Sequence, residues 1–578
     1  RTFAQYVPYW LSQSRPLGEN RNSSSSDGNV AARETFDARG IDGLRCDFGQ
    51  GIPPRCWEYI MNVARSHKWS FVFMAESLDG GEVTCRSARH FDVLNENIIF
   101  GVKNLNKSRS TLKQAYESRR SAYGQALVLL STISHDEDSY ADPFVACANY
   151  LAHASMDGAP MIFPGQELGI STTFGYDLYE KNFGKFVPHF KTWNSMMPAW
   201  VNTDFGNDQL YEVYAGANRA RKESPALRSF NRWFLDGDGF NDAIHAVAKY
   251  ETANASPASS DVMLAFANLD RDTAQSDQYK IPTTLADLMG LESGRSYNVK
   301  NRAAFTGQVA GRNDLWLWGT GKTRSELIST GAYAGLNKVP ASNAAWSSAP
   351  FEAQFLKVYD VTAPPSPNPL ANSYQLGTTG TFSWDPASAG FDPVHDVISS
   401  YQITVKDHSG AVVSSGIVND GSNSYSFTGV LGETYRAEVL AISVAGVLST
   451  TPGASYPGDP DSALTNSASM LLDPSADQDG DGSSNEVEEL AGTDPLDPIS
   501  RFRITSAVAD GNDMMMTVPT VNGRFYQLFT STTLGGSPDL WTSVSAKIEA
   551  TGVDLDLSHA NGVTYPSKRF YRVAVTLD

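Results

Sequence analysis

No stretch of this 578-residue chain stays apolar for the roughly 18 or more residues that a membrane-crossing helix takes. Cysteine is scarce. Its four copies, Cys46, Cys56, Cys85 and Cys147, show no C-x-x-C spacing, so neither a zinc site nor a disulfide framework is indicated and the redox compartment stays open. Positive charge is short as well: 45 basic residues face 64 acidic ones, for a formal charge of -19. A surface of that sign repels nucleic acid and anionic membranes and leaves neutral ligands open. The opening RTFAQYVPYW starts on arginine and lacks an apolar h-region, so it reads neither as a signal peptide nor as ordinary initiation.

What is present is enough for roughly three to five domains. From about residue 30 to 225, β-like runs (IDGLRCDF, WSFVFMAES, QALVLLSTISHD, APMIFPGQE) alternate with helical ones (RCWEYIMNVARSH, DPFVACANYLAHASMD). Parallel strands need helical crossovers, so this alternation predicts βαβ units on a parallel sheet. After QLYEVYAGANRARKESPALR the helical period gives way to strand-like runs between residues 230 and 360. The proline-rich TAPPSPNP predicts a linker, and the short strands of 370–450 a sandwich. The expected layout is 1–229, 230–361, 362–452, an acidic linker at 453–500, and a β module at 501–578.

Chemistry gathers at three strand ends. Asp47 follows GLRC, Glu76 follows FVFMA, and His135 and Asp136 follow LLSTIS. Functional groups collect at the C-terminal ends of parallel strands, so these clusters are expected to face one cleft. Spacing agrees: Asp47 and Glu76 lie about 30 residues apart, one βα unit, and Asp136 follows at about twice that distance. In a strand, Arg45 and Asp47 share one face while Leu44, Cys46 and Phe48 share the other. Taken alone, that Arg-x-Asp pair is better explained by a structural salt bridge. Two carboxylates and a third acid are what glycosidic hydrolysis needs, one attacking the sugar carbon and another protonating the leaving oxygen. Arg45 would keep the nucleophile ionised, and drier surroundings behind Phe73, Met74 and Ala75 would favour protonated Glu76.

These residues resemble the α-amylase superfamily of retaining glycoside hydrolases. GLRCDF is similar to its second signature, FMAES to its third, ISHDED to its fourth, GAPMIFPGQELG to its eighth-strand segment, and ANRARKESPALR to its last barrel helix. The likeness runs over roughly residues 30–360. It implies a (β/α)8 barrel represented by strands four to eight, followed by an antiparallel β domain. It implies Asp47 as nucleophile, Glu76 as general acid/base, Asp136 as transition-state stabiliser, and Arg45 and His135 as orienting or sugar-binding groups. The implied partner is an α-glucan polysaccharide or oligosaccharide. Where many members carry lysine and histidine three and four residues after the nucleophile, this chain has Gln50 and Gly51, which puts the leaving-group subsite and a barrel calcium site in question. Three more barrel units need on the order of 90 residues, yet GIDGLRCD begins at residue 40. The chain is therefore expected to lack the front of the barrel, and on its own to be weakly stable and inactive.

Downstream, DQDGDGSSNEVE fits a calcium-loop pattern: Asp477, Asp479 and Asp481 supply carboxylates, Gly482 the turn, Ser483 a carbonyl, Asn485 a side-chain or water-mediated ligand, and Glu488 a bidentate carboxylate. With GTDPLDPIS behind it, the segment resembles thrombospondin type 3 or dockerin-like calcium linkers. Residues 362–450 resemble a fibronectin type III sandwich, and these module types imply a secreted or cell-surface protein. In the last module Trp541 is read as core in preference to a sugar platform. Two other readings stay open: a transglycosylase with the same machinery, and a non-catalytic α-glucan-binding surface protein.

Overall fold

A computed structural model describes residues 2–15, 38–76, 91–95, 108–132, 143–162, 166–168, 207–270, 272–303, 314–337, 353–370, 372–385, 391–449, 468–534, 540–564 and 568–577. The chain divides into two units, residues 1–362 and 363–578. Among the described residues no helix is long and apolar enough to cross a membrane.

The first unit opens with helix α1 (Tyr6–Ser14) and alternates strands and helices: β1 (Gly43–Cys46), α2 (Pro54–His67), β2 (Val72–Glu76), β3 (Val93–Asn95), α3 (Arg109–Ala122), β4 (Leu127–Ser131), α4 (Pro143–Ala154) and β5 (Ala159–Met161). The five strands form one sheet in chain order, all parallel. Local chemistry sets the ends. Pro54 starts α2 where its missing N–H costs nothing, and Arg65 and His67 sit in the last turn against the helix dipole. Its buried residues Trp57, Ile60, Met61 and Ala64 form one apolar stripe at helical spacing. Ser108 caps α3 by accepting from the Thr111 N–H. Gly43 lets β1 lie close to β2, since a Cβ there would stand 2.5 Å from the Val72 carbonyl oxygen.

Beyond helix α5 (Asn207–Glu223) the chain builds a six-stranded antiparallel sheet from Arg232–Phe234 to Ala353–Asp360. The boundary expected at residue 229 is not a boundary between cores: Phe234, Val247, Met263, Ala265 and Phe355 of the antiparallel sheet share one apolar cluster with the βα strands and helices. A buried charge cluster fastens the same junction. Asp157, fully buried just before β5, meets Lys249 at 3.1 Å, Arg232 at 3.4 Å and Arg120 at 3.5 Å. Burial draws the Lys249 ammonium down to about 8 even beside that carboxylate.

In the second unit, strands Asn368–Leu370, Thr379–Asp385 and Ser424–Thr428 form one sheet, and a five-stranded sheet contains Ile398–Asp407 and Thr434–Ser443. Trp384, Tyr401, Phe427 and Tyr435 are buried in one apolar cluster. Strand Ala468–Leu472, in the segment expected to be acidic linker, belongs to the five-stranded sheet, pairing with Tyr374–Leu376 and Thr434–Arg436. Two further sheets, with Met516, Tyr526, Leu528 and Leu557 in their core, make up the C-terminal part. Trp541 is half-buried, with the Arg572 guanidinium 4.7 Å from its ring centre.

Two histidines are buried without charge in the first unit. Burial pushes His153, at the end of α4, down to about 4, and His245, whose Nε2 lies 2.9 Å from Ser155 Oγ, down to about 3. The unfolded chain binds protons here more readily than the folded one, so stability is present above about pH 6.5 and is lost as pH falls toward those values. At pH 5 the loss should be about 2 kcal/mol for each ring. Thermal melting of this unit followed between pH 7.5 and 5 is expected to show the decline, with a shallower slope in His245→Gln.

Candidate active site

The turn after β1 brings the acids together. Register pairs Arg45 with Met74 and Cys46 with Ala75, so the residue after β1 lies beside the last residue of β2. The Arg45 guanidinium then spans the two carboxylates, with Nη1 on Asp47 Oδ1 and Nη2 3.1 Å from Glu76 Oε2. One guanidinium plus two hydrogen bonds bounds the separation of those two oxygens at about 8 Å. That bound admits the ~5 Å of retaining glycosidases and about half of the range used by inverting ones. Asp47 is open to solvent, with 76% of its side chain exposed, whereas Glu76 retains 12%.

Phe48 departs from the expected alternation. It does not continue the apolar face of Leu44 and Cys46, because β1 ends at Cys46 and Phe48 enters the left-handed region at φ 48°, ψ 52°. Its ring turns outward, the residue being 58% exposed, and its N–H donates to Glu76 Oε2 at 3.0 Å. Glu76, with 12% of its side chain exposed, is thus enclosed, with the Arg45 guanidinium and the Phe48 N–H on its Oε2. Behind the turn, buried Gly49 lies against Ala75 and the Glu76 carbonyl, where an added Cβ would come within 3.0 Å of each. The Trp57 indole N–H holds the Gly49 carbonyl at 2.9 Å. Gln50 Oε1 is enclosed and has no hydrogen-bond partner among the described residues. Burial raises the Cys46 thiol to about 12, which makes it inert at this site.

His135 and Asp136 lie outside the described residues. The strand that leads to them, β4, is buried through Val128–Ser131, and just beyond it Thr132 Oγ1 accepts from Gln166 Nε2 at 2.5 Å. Gln166 also donates to the Tyr214 hydroxyl of α5 at 2.9 Å. This buried amide, which the sequence reading passed over, ties the segment after β5 to the end of β4.

The acidic loop of the second unit is compact. Ligand atoms of Asp477, Asp479 and Asp481 lie within 4.8 Å of one another. Asp477 accepts from the N–H groups of Gly480 (2.8 Å), Asp481 (3.1 Å) and Gly482 (2.9 Å), and Asp481 accepts from Ser483 (2.8 Å). Glycines at φ +79° and +100°, Gly480 and Gly482, allow the winding. Asp479 Oδ2 and Glu488 Oε2 are enclosed and have no hydrogen-bond partner among the described residues. Burial, added to by the three aspartates, pushes the Glu488 carboxyl up. Asn485 is turned to scaffolding: its Nδ2 donates to the Asp473 carbonyl and its Oδ1 accepts from Gln478 N–H.

No family model and no curated protein sequence matches the chain. Among solved structures it is similar to an Anoxybacillus α-amylase (12% identity, TM-score 0.37, 62% of this chain and 73% of that one). It is also similar to a Geobacillus thermoleovorans α-amylase complexed with acarbose (13%, 0.36, 62% and 74%). A third is the cyclic α-maltosyl-(1→6)-maltose hydrolase of Arthrobacter globiformis (13%, 0.31, 57% and 61%). Overlap this loose fixes neither activity nor substrate.

The indole anchor gives a direct check on the turn. Replacing Trp57 by Phe keeps the ring in the α2 stripe and leaves the Gly49 carbonyl without its buried donor, at a cost of about 1–3 kcal/mol. Urea unfolding of the first unit should show a lower midpoint with an unchanged slope.

Proposed function

We infer that this chain carries the catalytic machinery of a retaining glycoside hydrolase acting on α-glucans such as starch, glycogen and maltooligosaccharides. The observation that carries the reading is the single guanidinium joining Asp47 and Glu76 at the ends of adjacent parallel strands, in a chain whose motifs follow the order of the resembled family. In the first step an Asp47 oxygen attacks the anomeric carbon, the bond to the leaving oxygen breaks, and Glu76 gives that oxygen its proton. In the second, Glu76 takes a proton from water as the water oxygen attacks the same carbon, and the Asp47 ester bond breaks. Arg45 pairs with both carboxylates and holds them in fixed relation, lowering the entropy cost of reaching the reacting geometry. Asp136 and His135 are assigned by resemblance as stabiliser and sugar-binding group. An acceptor sugar hydroxyl in place of water would give transglycosylation with the same residues.

Glu76→Gln in the full-length protein should lower kcat on maltooligosaccharides by at least a thousandfold, on the order of the loss seen when acid/base and nucleophilic machinery is removed, while leaving glucan binding in place. Unchanged turnover would reject Glu76 as the acid/base.

Calcium is the cation proposed for the second unit, held by Asp477, Asp479, Asp481, the Ser483 carbonyl and Glu488, with Asn485 bracing the loop through Asp473 and Gln478 and not acting as the ligand expected of it. The chemistry of the donors fits a hard divalent ion, and the enclosed, unpartnered oxygens of Asp479 and Glu488 are what such an ion would satisfy. Calcium there would supply structural stability and take no part in sugar chemistry. At one hundred times its dissociation constant, calcium should stabilise this unit by about 2.7 kcal/mol. In calorimetry that appears as a higher transition temperature, reversed by chelator and absent in Glu488→Gln. A transition indifferent to chelator would remove the site.

A further inference from the structure

Residues 501–578 carry seven basic and seven acidic side chains, so the chain's whole excess of negative charge, -19, lies elsewhere. The apolar cluster of this C-terminal part takes Tyr526 and Leu528 from strand Phe525–Ser531. Alternation therefore sets Phe525 and Phe529 on the opposite, outer face of their sheet. Register extends that face sideways: Phe529 stands opposite Arg572 on one neighbouring strand and Ser543 on another, and Phe525 stands opposite Glu549. Neither phenylalanine belongs to the apolar cluster, and neither does Trp541. Outward positions of a packed sheet ordinarily carry polar residues, so a row of large aromatics there serves something other than the core.

Each ring holds a cation. Lys547 Nζ lies 5.1 Å from the Phe525 ring centre, and the Arg572 guanidinium lies between two rings, 5.4 Å from the centre of Phe529 and 4.7 Å from that of Trp541. Both cations are exposed and all three rings are half-buried. Neither cation meets a carboxylate among the described residues, although the chain is rich in acids. A stacked guanidinium keeps its N–H groups in its own plane, where they can still grip a planar anion through two hydrogen bonds. Phe525 and Phe529 are four residues apart on one strand, which spaces the two cation–aromatic pairs by about 13 Å. Such a row suits an extended polymer that offers rings to the aromatics and repeated negative charge to the cations.

We propose that this outer sheet face binds an acidic polysaccharide, its sugar rings lying along Phe525, Phe529 and Trp541 and its carboxylates pairing with Arg572 and Lys547. The planar fork of Arg572 matches a uronic acid carboxylate better than a tetrahedral sulfate. The surface gives the C-terminal module a holding role on an acidic matrix that the rest of the chain would repel, and it does not depend on the glycosidase reading.

The test is calorimetric titration of the full-length protein with polygalacturonate, with dextran sulfate and glycogen as the sulfated and neutral polymers. Polygalacturonate is expected to bind more tightly than dextran sulfate, and to lose affinity severalfold between about 0.1 M and about 0.5 M salt as the exposed pairs are screened. Arg572→Gln and Lys547→Gln should each weaken it about tenfold, the loss of one charge-assisted contact, and Trp541→Ala should weaken it in the same direction. Glycogen binding should be the same in all three variants. Lys547 is exposed, so Lys547→Gln leaves the sheet intact and keeps the test sound even where Trp541→Ala or Arg572→Gln lowers the melting transition. No binding of polygalacturonate, or native affinity for it in both Lys547→Gln and Arg572→Gln, would overturn the surface. Tighter binding of dextran sulfate, or a parallel loss of glycogen binding in Lys547→Gln, would overturn the carboxylated class of ligand.

Discussion

The candidate site depends on one side chain, Arg45. Two carboxylates at neighbouring strand ends would repel each other and splay apart, and a planar cation with several donors can hold both at once. Arg45 does so because β1 and β2 are parallel, adjacent and in a register that sets Asp47 beside Glu76. That register is fixed by small residues. Gly43 permits the close approach of the strands at their start, and Gly49 lets the turn fold down over Ala75 and the Glu76 carbonyl at their end. Lysine at position 45 would offer one point charge where two oxygens need two directions.

A second buried charge has a comparable role at the other end of the first unit. Asp157 is surrounded by Lys249 and Arg232 from the antiparallel sheet and Arg120 from α3, so an uncompensated loss of any one partner would leave charge in the interior. Arg221 adds direction, donating to the carbonyls of Ala154, Met156, Gly158 and Leu227. These contacts, with the shared apolar cluster, explain why the change of pattern near residue 229 marks a change of secondary structure within one unit.

The parallel strands, the helices between them and the pairing of Arg45 with Asp47 were legible in the sequence because each rests on local periodicity or spacing: apolar runs of β4, the Trp57–Ala64 stripe, and the interval between Asp47 and Glu76. Three features were not. The outward turn of Phe48 rests on a left-handed residue that alternation cannot reveal. Gln166 reads as an ordinary loop amide until the fold encloses it between Thr132 and Tyr214. Strand Ala468–Leu472 is short and pairs with partners up to about a hundred residues earlier, a long-range choice that local composition, dominated there by the acidic loop, obscures.

Three groups of acids can be compared by what neutralises them. Asp47 and Glu76 share Arg45, and Asp157 is matched by two arginines and a lysine. In the loop of the second unit, Asp477, Asp479, Asp481 and Glu488 meet one side-chain cation among the described residues, Arg501, whose Nε lies 3.3 Å from Asp481 Oδ2. Backbone N–H groups take up Asp477, yet the enclosed oxygens of Asp479 and Glu488 stay without donors among the described residues. Burying carboxylates without counter-charge raises their proton affinity, as it does for Glu488. In the first two groups the chain supplies the positive charge from its own side chains. In the third the balance falls short among the described residues, and the proposed calcium ion would complete it from solution.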